Sequence, residues 1–276
     1  MILKSTDFVP ANKVKIPDIY FNRLKTGLVE VDEFLGGAES ETGGFLRGGV
    51  YLLAAGAGTG KSTFCLQLAQ ALHDKGVKVA HASGEESIEQ LAFACKRLNV
   101  KDVPIAVQSD IDAICEKMSE FEFIVIDSFQ TLSTKKQMTP RKKEQHCIAR
   151  LCARAKDTKC TVIALCHLTK AGVYKGSTAV LHGVDACINL NVDEEDNTLR
   201  VFTWSKNRFG PADKEMIISI GKKGYEWTKE EKPEVQEVTH ITDLIKVIPP
   251  KNSNKDLDLL SKFKQMESLT ASESTK

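Results

Sequence analysis

The sequence predicts an α/β fold: a mostly parallel central sheet with helices on both faces and an antiparallel edge at its C-terminal end. Three observations predict it. Short continuous apolar runs alternate with stretches whose apolar residues recur at i, i+3, i+4 and i+7, as doubly buried strands and amphipathic helices do. A glycine-rich turn separates the first such run from the first such stretch. The last part of the pattern, from about residue 184, holds only strand-like runs parted by Gly and Gly-Pro turns, which implies antiparallel pairing at one edge.

The elements follow in order. Residues 49–55 (GVYLLAA) read as a buried strand. Residues 61–75 read as a helix with Cys65, Leu68, Ala69 and Leu72 on one face, stopped by Gly76. Residues 77–82 are a strand. Ile88, Leu91, Cys95 and Leu98 mark a second helix, and Ile111, Ile114, Cys115 and Met118 a third. FEFIVID (121–127) is a strand buried on both faces. Ile148, Leu151, Cys152 and Ala155 mark a fourth helix, and CTVIALCHL (160–168) is another buried strand. Strands at about 184–190, 199–206, 215–220 and 225–228 complete a core spanning 26–228. Residues 1–25, with Pro10 and Pro17, read as an N-terminal arm. Residues 229–276 turn to charge and proline and read as a partly disordered tail. Within it, Leu259, Phe263 and Met266 allow a short amphipathic helix over 254–267, docked on a partner or on the core.

Composition narrows the class. The chain has 276 residues, 42% apolar and 27% charged, enough for a full hydrophobic core. With 38 basic and 37 acidic side chains the net charge is +1, so any nucleic-acid contact must come from a local patch. No apolar run approaches the ~18 residues of a membrane span. MILKSTDFVP carries no signal-peptide core, so a cytoplasmic location is expected. The eight cysteines show no CxxC pair and no zinc-finger spacing, and they fall at apolar positions. They read as reduced core residues.

Four motifs carry chemistry. The first, residues 54–63 (AAGAGTGKST), lies between a strand and a helix, as a phosphate loop requires. Gly56, Ala57, Gly58, Thr59 and Gly60 would turn backbone amides onto phosphate oxygens, aided by the helix N-terminus that begins with Lys61, Ser62 and Thr63. Lys61 would reach the β- and γ-phosphates of ATP, and Ser62 would ligand Mg²⁺. Ala55 stands where the strict pattern has glycine. The second, IVIDS, ends an apolar strand in Asp127, about 65 residues after Lys61, and would hold the Mg²⁺ shell. The third, SGEES (83–87), puts carboxylates at a strand end. Glu85, with Glu86 as the second candidate, would orient and deprotonate the attacking water. The same segment can also cap the next helix through Ser87. The fourth is His167, a polar residue ending a parallel strand at the edge where ligands bind in such sheets. There it can sense the γ-phosphate and relay to 168–181. KNRFG (206–210) reads from composition alone as a solvated hairpin end.

Taken together, TGLVEVDEFLGG (26–37), GTGKST (58–63), SGEES (83–87), VIDSFQT (125–131), HLTK (167–170) and KNRFG (206–210) resemble the RadA/Sms family of bacterial DNA-repair and recombination ATPases. The resemblance covers roughly 24–228 and implies a RecA-like phosphate-loop NTPase core, related to hexameric helicases of the DnaB and phage types. It implies ATP-driven movement on single-stranded DNA, branch migration, and a homohexameric ring. Lys206 and Arg208 would then reach the neighbouring subunit's ATP and compensate transition-state charge. A recombinase or single-strand-binding protein is an implied partner. The sequence departs from the family in Ala55 and shows neither the N-terminal four-cysteine zinc ribbon nor the C-terminal protease-like domain, so a minimal core is expected.

In RecA-like rings the loops after the catalytic strands line the channel. Here those are 133–143, with Lys135, Lys136, Arg141, Lys142 and Lys143 and no acid, and 169–180, with Lys170 and Lys175. Basic loops of this kind would give salt-sensitive, sequence-tolerant DNA binding. Two rival readings stand beside the RadA type: a DnaB- or phage-type replicative helicase, and a nucleotide-gated scaffold or signalling ATPase with little turnover.

Overall fold

The structure, a computed structural model, describes residues 8–36, 43–169 and 178–228. The tail, its 254–267 helix, and Lys170 and Lys175 lie outside the described residues.

The sheet has nine strands in the order β3-β2-β4-β5-β1-β6-β7-β8-β9. They are β1 Val50–Ala55, β2 Val79–Ser83, β3 Ile105–Val107, β4 Phe123–Asp127, β5 Thr161–His167, β6 Ala186–Val192, β7 Leu199–Asn207, β8 Glu215–Gly221 and β9 Gly224–Tyr225. Strands β3 through β6 in that order pair in parallel, whereas β7, β8 and β9 add antiparallel to β6. Every residue of β1 is buried because the strand lies mid-sheet with cover on both faces. Its alternate side chains divide between two cores. Tyr51, Leu53 and Ala55 meet Phe64, Leu68 and Leu72 of helix α2 (Lys61–Asp74). Val50, Leu52 and Ala54 belong with Ile114 of α4 (Ile111–Lys117) and Leu151 of α5 (Pro140–Thr158).

Parallel register brings the C-terminal strand ends to one edge. Ala55 lies opposite His167, and Ser83 opposite Asp127. Everything that follows β1, β2, β4 and β5 therefore emerges at that edge, where ligands bind in open α/β sheets.

Several elements depart from the pattern reading. Helix α1 (Val29–Gly36) is short and opens with a turn whose backbone is gathered by one carboxylate: Asp32 accepts from the amides of Thr26 (2.9 Å) and Gly27 (2.8 Å) and from the Thr26 hydroxyl (3.0 Å). Strand β3 has three residues, too few to show a period. Helix α5 begins at Pro140, eight residues before its first clear apolar face, with Thr139 as N-cap and proline at the first helical position. Arg141, Lys142 and Lys143 thus lie on the first turn of a helix rather than in a loop. A further short helix, α6 (Thr178–Gly183), precedes β6, and the final strand is only Gly224–Tyr225. Helix α3 (Ile88–Leu98) starts in a capping box between Ser87 and Gln90. None of the eight cysteines is in a disulfide; seven are buried and Cys152 is partly so. Burial raises the pKa of Cys147 to about 11 and that of Cys160 to about 12. In the arm, two 3₁₀ turns (Ala11–Lys13 and Asp18–Tyr20) bury no residue, and Tyr20 rests beside Lys159, whose Nζ lies 5.2 Å from its ring centroid.

Candidate functional site

The loop after β1 takes a left-handed backbone at Gly58 (φ 73°) and Gly60 (φ 102°). Ala55 needs no such freedom. It is the last residue of the strand, fully buried, and its carbonyl accepts from Leu168 N at 2.9 Å. This explains why alanine serves where the strict motif has glycine. Thr59 Oγ1 closes the loop onto Gly56 O (3.0 Å). Lys61, 6% exposed, donates Nζ to Gly56 O (2.7 Å) and Ala55 O (3.1 Å). Burial lowers its pKa, and the carboxylates of Asp127 and Glu85 oppose that.

One residue further along α2, the Ser62 hydroxyl donates to Asp127 Oδ2 at 2.6 Å. Asp127 ends β4, buried, and that burial raises its pKa against the pull of the Ser62 bond. A hydroxyl and a carboxylate set together at the mouth of a phosphate loop are the hard oxygen donors that Mg²⁺ prefers, so the residues fit ATP·Mg²⁺.

The turn after β2 is folded tightly against the next strand end. Gly84 N donates to Asp127 O (2.6 Å), and a Cβ on Gly84 would collide with the Thr131 hydroxyl. Ser83 Oγ accepts the amides of Glu85 and Glu86, each at 3.2 Å. That directs the Glu85 carboxylate to the strand edge, where its Oε1 accepts the Ser128 hydroxyl and stands 3.1 Å from His167 Nε2. The structure therefore gathers Lys61, Ser62, Asp127, Glu85 and His167 at one edge, with Glu85 rather than Glu86 bonded into the group. The Asp127–Ser128 peptide is cis.

Lys206 and Arg208 lie elsewhere. Lys206 pairs with Cys187 near the start of β6, level with Leu52 of β1. That is four residues of strand, roughly 13 Å, short of their own chain's phosphate loop. Lys206 Nζ donates to the carbonyls of Leu181 (3.0 Å), His182 (2.9 Å) and Val184 (2.6 Å) at the end of α6. Burial, then neighbouring Arg208, lowers its pKa. Arg208 lies 3.5 Å from Asp185 Oδ1. Lys135, Lys136, Arg141 and Lys142 are exposed and Lys143 half-buried, on the segment that leaves the end of β4.

Sequence reasoning missed three side chains here. Ser128, fully buried, was hidden inside a motif read for its aspartate. Arg200 donates Nε to Thr59 O at 2.8 Å, and Tyr225 OH lies 3.4 Å from Gly60 O. Those contacts span 141 and 165 residues, and no local pattern signals them.

A central parallel strand ending in a phosphate loop, a serine on the following helix bonded to the aspartate that ends β4, and an antiparallel C-terminal edge define a RecA-like phosphate-loop NTPase fold. Solved structures share it. One, described as an ATPase domain, superposes with a TM-score of 0.62 at 17% identity, covering 78% of this chain and 93% of that one. The flagellar accessory protein FlaH from Methanocaldococcus jannaschii gives 0.57 at 16% identity, covering 75% and 99%. No family model matches the chain. In sequence it is 32% identical over 197 residues to the DNA repair protein RadA of Mycobacterium tuberculosis (strain H37Rv), covering 68% of this chain and 40% of that protein. To RadA of Brucella abortus it is 30% identical over 217 residues, covering 73% and 44%. The chain belongs to the RadA family through this core, and it spans less than half the length of the relatives it matches.

Proposed function

We propose that this chain is an ATPase that couples hydrolysis to binding and moving on single-stranded DNA in repair or recombination. The observation that carries the reading is continuity along β4. Asp127, bonded to Ser62 of the phosphate loop, and the exposed cations Lys135, Lys136, Arg141 and Lys142 stand on one short stretch of chain leaving one strand end. A change at the nucleotide has a direct covalent route to the basic segment.

Lys61 binds the β- and γ-phosphates, and the amides of 56–62 cradle them. Ser62 and Asp127 would hold Mg²⁺, which neutralises charge on the phosphate oxygens when bound. Glu85 accepts the proton of the attacking water, with Ser128 and His167 fixing its carboxylate. His167 links that group to Leu168, whose amide bonds Ala55. Lys206 and Arg208, set away from their own loop, serve a neighbouring copy in a ring. Branch migration, unwinding, hexamer formation and a recombinase or single-strand-binding partner belong to this proposal.

ATP turnover with and without single-stranded DNA, at low and moderate salt and with Lys61→Ala as control, tests it. DNA-stimulated turnover that falls with salt and vanishes in the variant is expected. Slow turnover indifferent to DNA would retire the motor and leave a nucleotide-gated scaffold.

A further inference from the structure

The phosphate loop is held from outside as well as shaped from within. Arg200 is the second residue of β7, just after the turn at 193–198. Its Nη1 donates to the carbonyls of Asn197 (2.7 Å) and Leu199 (2.8 Å), so the turn itself fixes the guanidinium plane. Nε is left to meet Thr59 O at 2.8 Å. Next to this contact, Tyr225 and Ile220 close over Gly60: a Cβ there would lie 2.9 Å from the Tyr225 hydroxyl and 3.0 Å from Ile220 Cδ1. Tyr225 is in turn fastened to α2, with Gln67 Oε1 accepting its amide (2.7 Å) and Gln67 Nε2 donating to its carbonyl (3.1 Å).

A trans peptide is planar, and its C=O and N–H point in opposite directions. Fixing the Thr59 carbonyl on the outer side of the loop therefore turns the Gly60 N–H to the inner side. The left-handed backbone at Gly60 leaves that plane little intrinsic preference to resist rotation. We propose that Arg200 is a positioning residue for nucleotide binding: by holding Thr59 O it aims the Gly60 amide at the phosphates. The proposal rests on the reading of this loop as a nucleotide site and deepens it. Arginine suits the task because a planar fork can satisfy the turn and the loop at once. A lysine ammonium at the same place is a single compact donor head.

The test compares wild type with Arg200→Gln and Arg200→Lys. ADP affinity is measured by calorimetry in Mg²⁺, ATP turnover by KM and kcat, and the melting temperature without nucleotide. Wild-type ADP binding is established first; its absence would end the nucleotide reading itself, before any variant is compared. If Arg200 positions the loop, Arg200→Gln weakens ADP binding and raises KM about tenfold, the size of one charge-assisted hydrogen bond. Its kcat and ligand-free melting temperature stay near wild type, and Arg200→Lys falls between. Wild-type ADP affinity and KM in Arg200→Gln overturn the proposal. If Arg200→Gln does not fold, Arg200→Lys decides: wild-type KM with a lowered melting temperature means that the residue merely stabilises the fold.

Discussion

His167 Nε2 stands 3.1 Å from Glu85 Oε1, across the end of the strand that separates them in the sheet. The same Glu85 oxygen accepts the hydroxyl of Ser128, which leaves that intervening strand. Three strand ends thus converge on one carboxylate. Glu85→Gln keeps the shape and removes the base. ATP turnover is expected to fall by about 10²–10⁴-fold, the usual contribution of general-base catalysis, while ADP affinity holds. Turnover that survives Glu85→Gln and is lost in Glu86→Gln would move the base one residue along.

Lys61 is a buried cation with two backbone carbonyls as its partners. Lys61→Ala removes a desolvated charge from the ligand-free protein, so its melting temperature without nucleotide should change little. The rise in melting temperature that ADP·Mg²⁺ produces in wild type should disappear. A persistent rise of full size would place nucleotide binding elsewhere.

The basic segment after β4 can be reversed in charge without touching the core. Lys135→Glu, Lys136→Glu, Arg141→Glu and Lys142→Glu together should weaken single-stranded DNA binding at fixed salt. The dependence of log K on log salt should flatten by up to about 3, since each lost phosphate contact contributes ~0.7. DNA-independent ATP turnover is the control and should not move. An unchanged salt slope would rule this segment out as the DNA contact.

His81 lies mid-strand in β2, 1% exposed, with neither ring nitrogen hydrogen-bonded. Burial lowers its pKa from 6.5 to about 4. The native state therefore holds neutral imidazole over a range where the unfolded chain takes a proton. Its contribution is complete above pH 6.5 and is lost as pH falls toward 4, at up to about 1.4 kcal/mol per pH unit and roughly 3 kcal/mol in all. Urea unfolding of His81→Leu across a pH range of about 4–7.5 should show a shallower acid slope. At neutral pH the variant should also gain about 1 kcal/mol, because two unpaired buried nitrogens go. Parallel pH profiles for wild type and variant would contradict this.

What was legible in the sequence is what short-range geometry encodes. Gly60, Lys61 and Ser62 could be placed because strand, turn and helix are adjacent in the chain. Asp127 and Glu85 could be placed because parallel strands deliver their C-terminal ends, and the turns that follow, to one edge. Ser87 read correctly as a cap because its partner Gln90 is three residues away. Arg200 and Tyr225 were not legible: they reach the phosphate loop through the pairing order of β7 to β9, which sets distant residues side by side. The start of α5 was missed for a different reason. Its first turn is exposed and cationic, so periodicity could not reveal it, although Thr139-Pro140 is a helix-opening pair. Helix α1 owes its anchoring to Asp32, whose acceptors face backward onto the turn at Thr26 rather than outward to solvent.

Lys206 has one ammonium, and the proposed ring would ask a second employment of it. In the isolated chain all three of its protons go to carbonyls at the end of α6. Should a neighbouring copy's nucleotide claim the same group, those carbonyls lose their donor and the helix end is set loose. Docking between copies and closure of that helix are then alternatives rather than companions. Each subunit would own a latch that is either shut on itself or lent to the next.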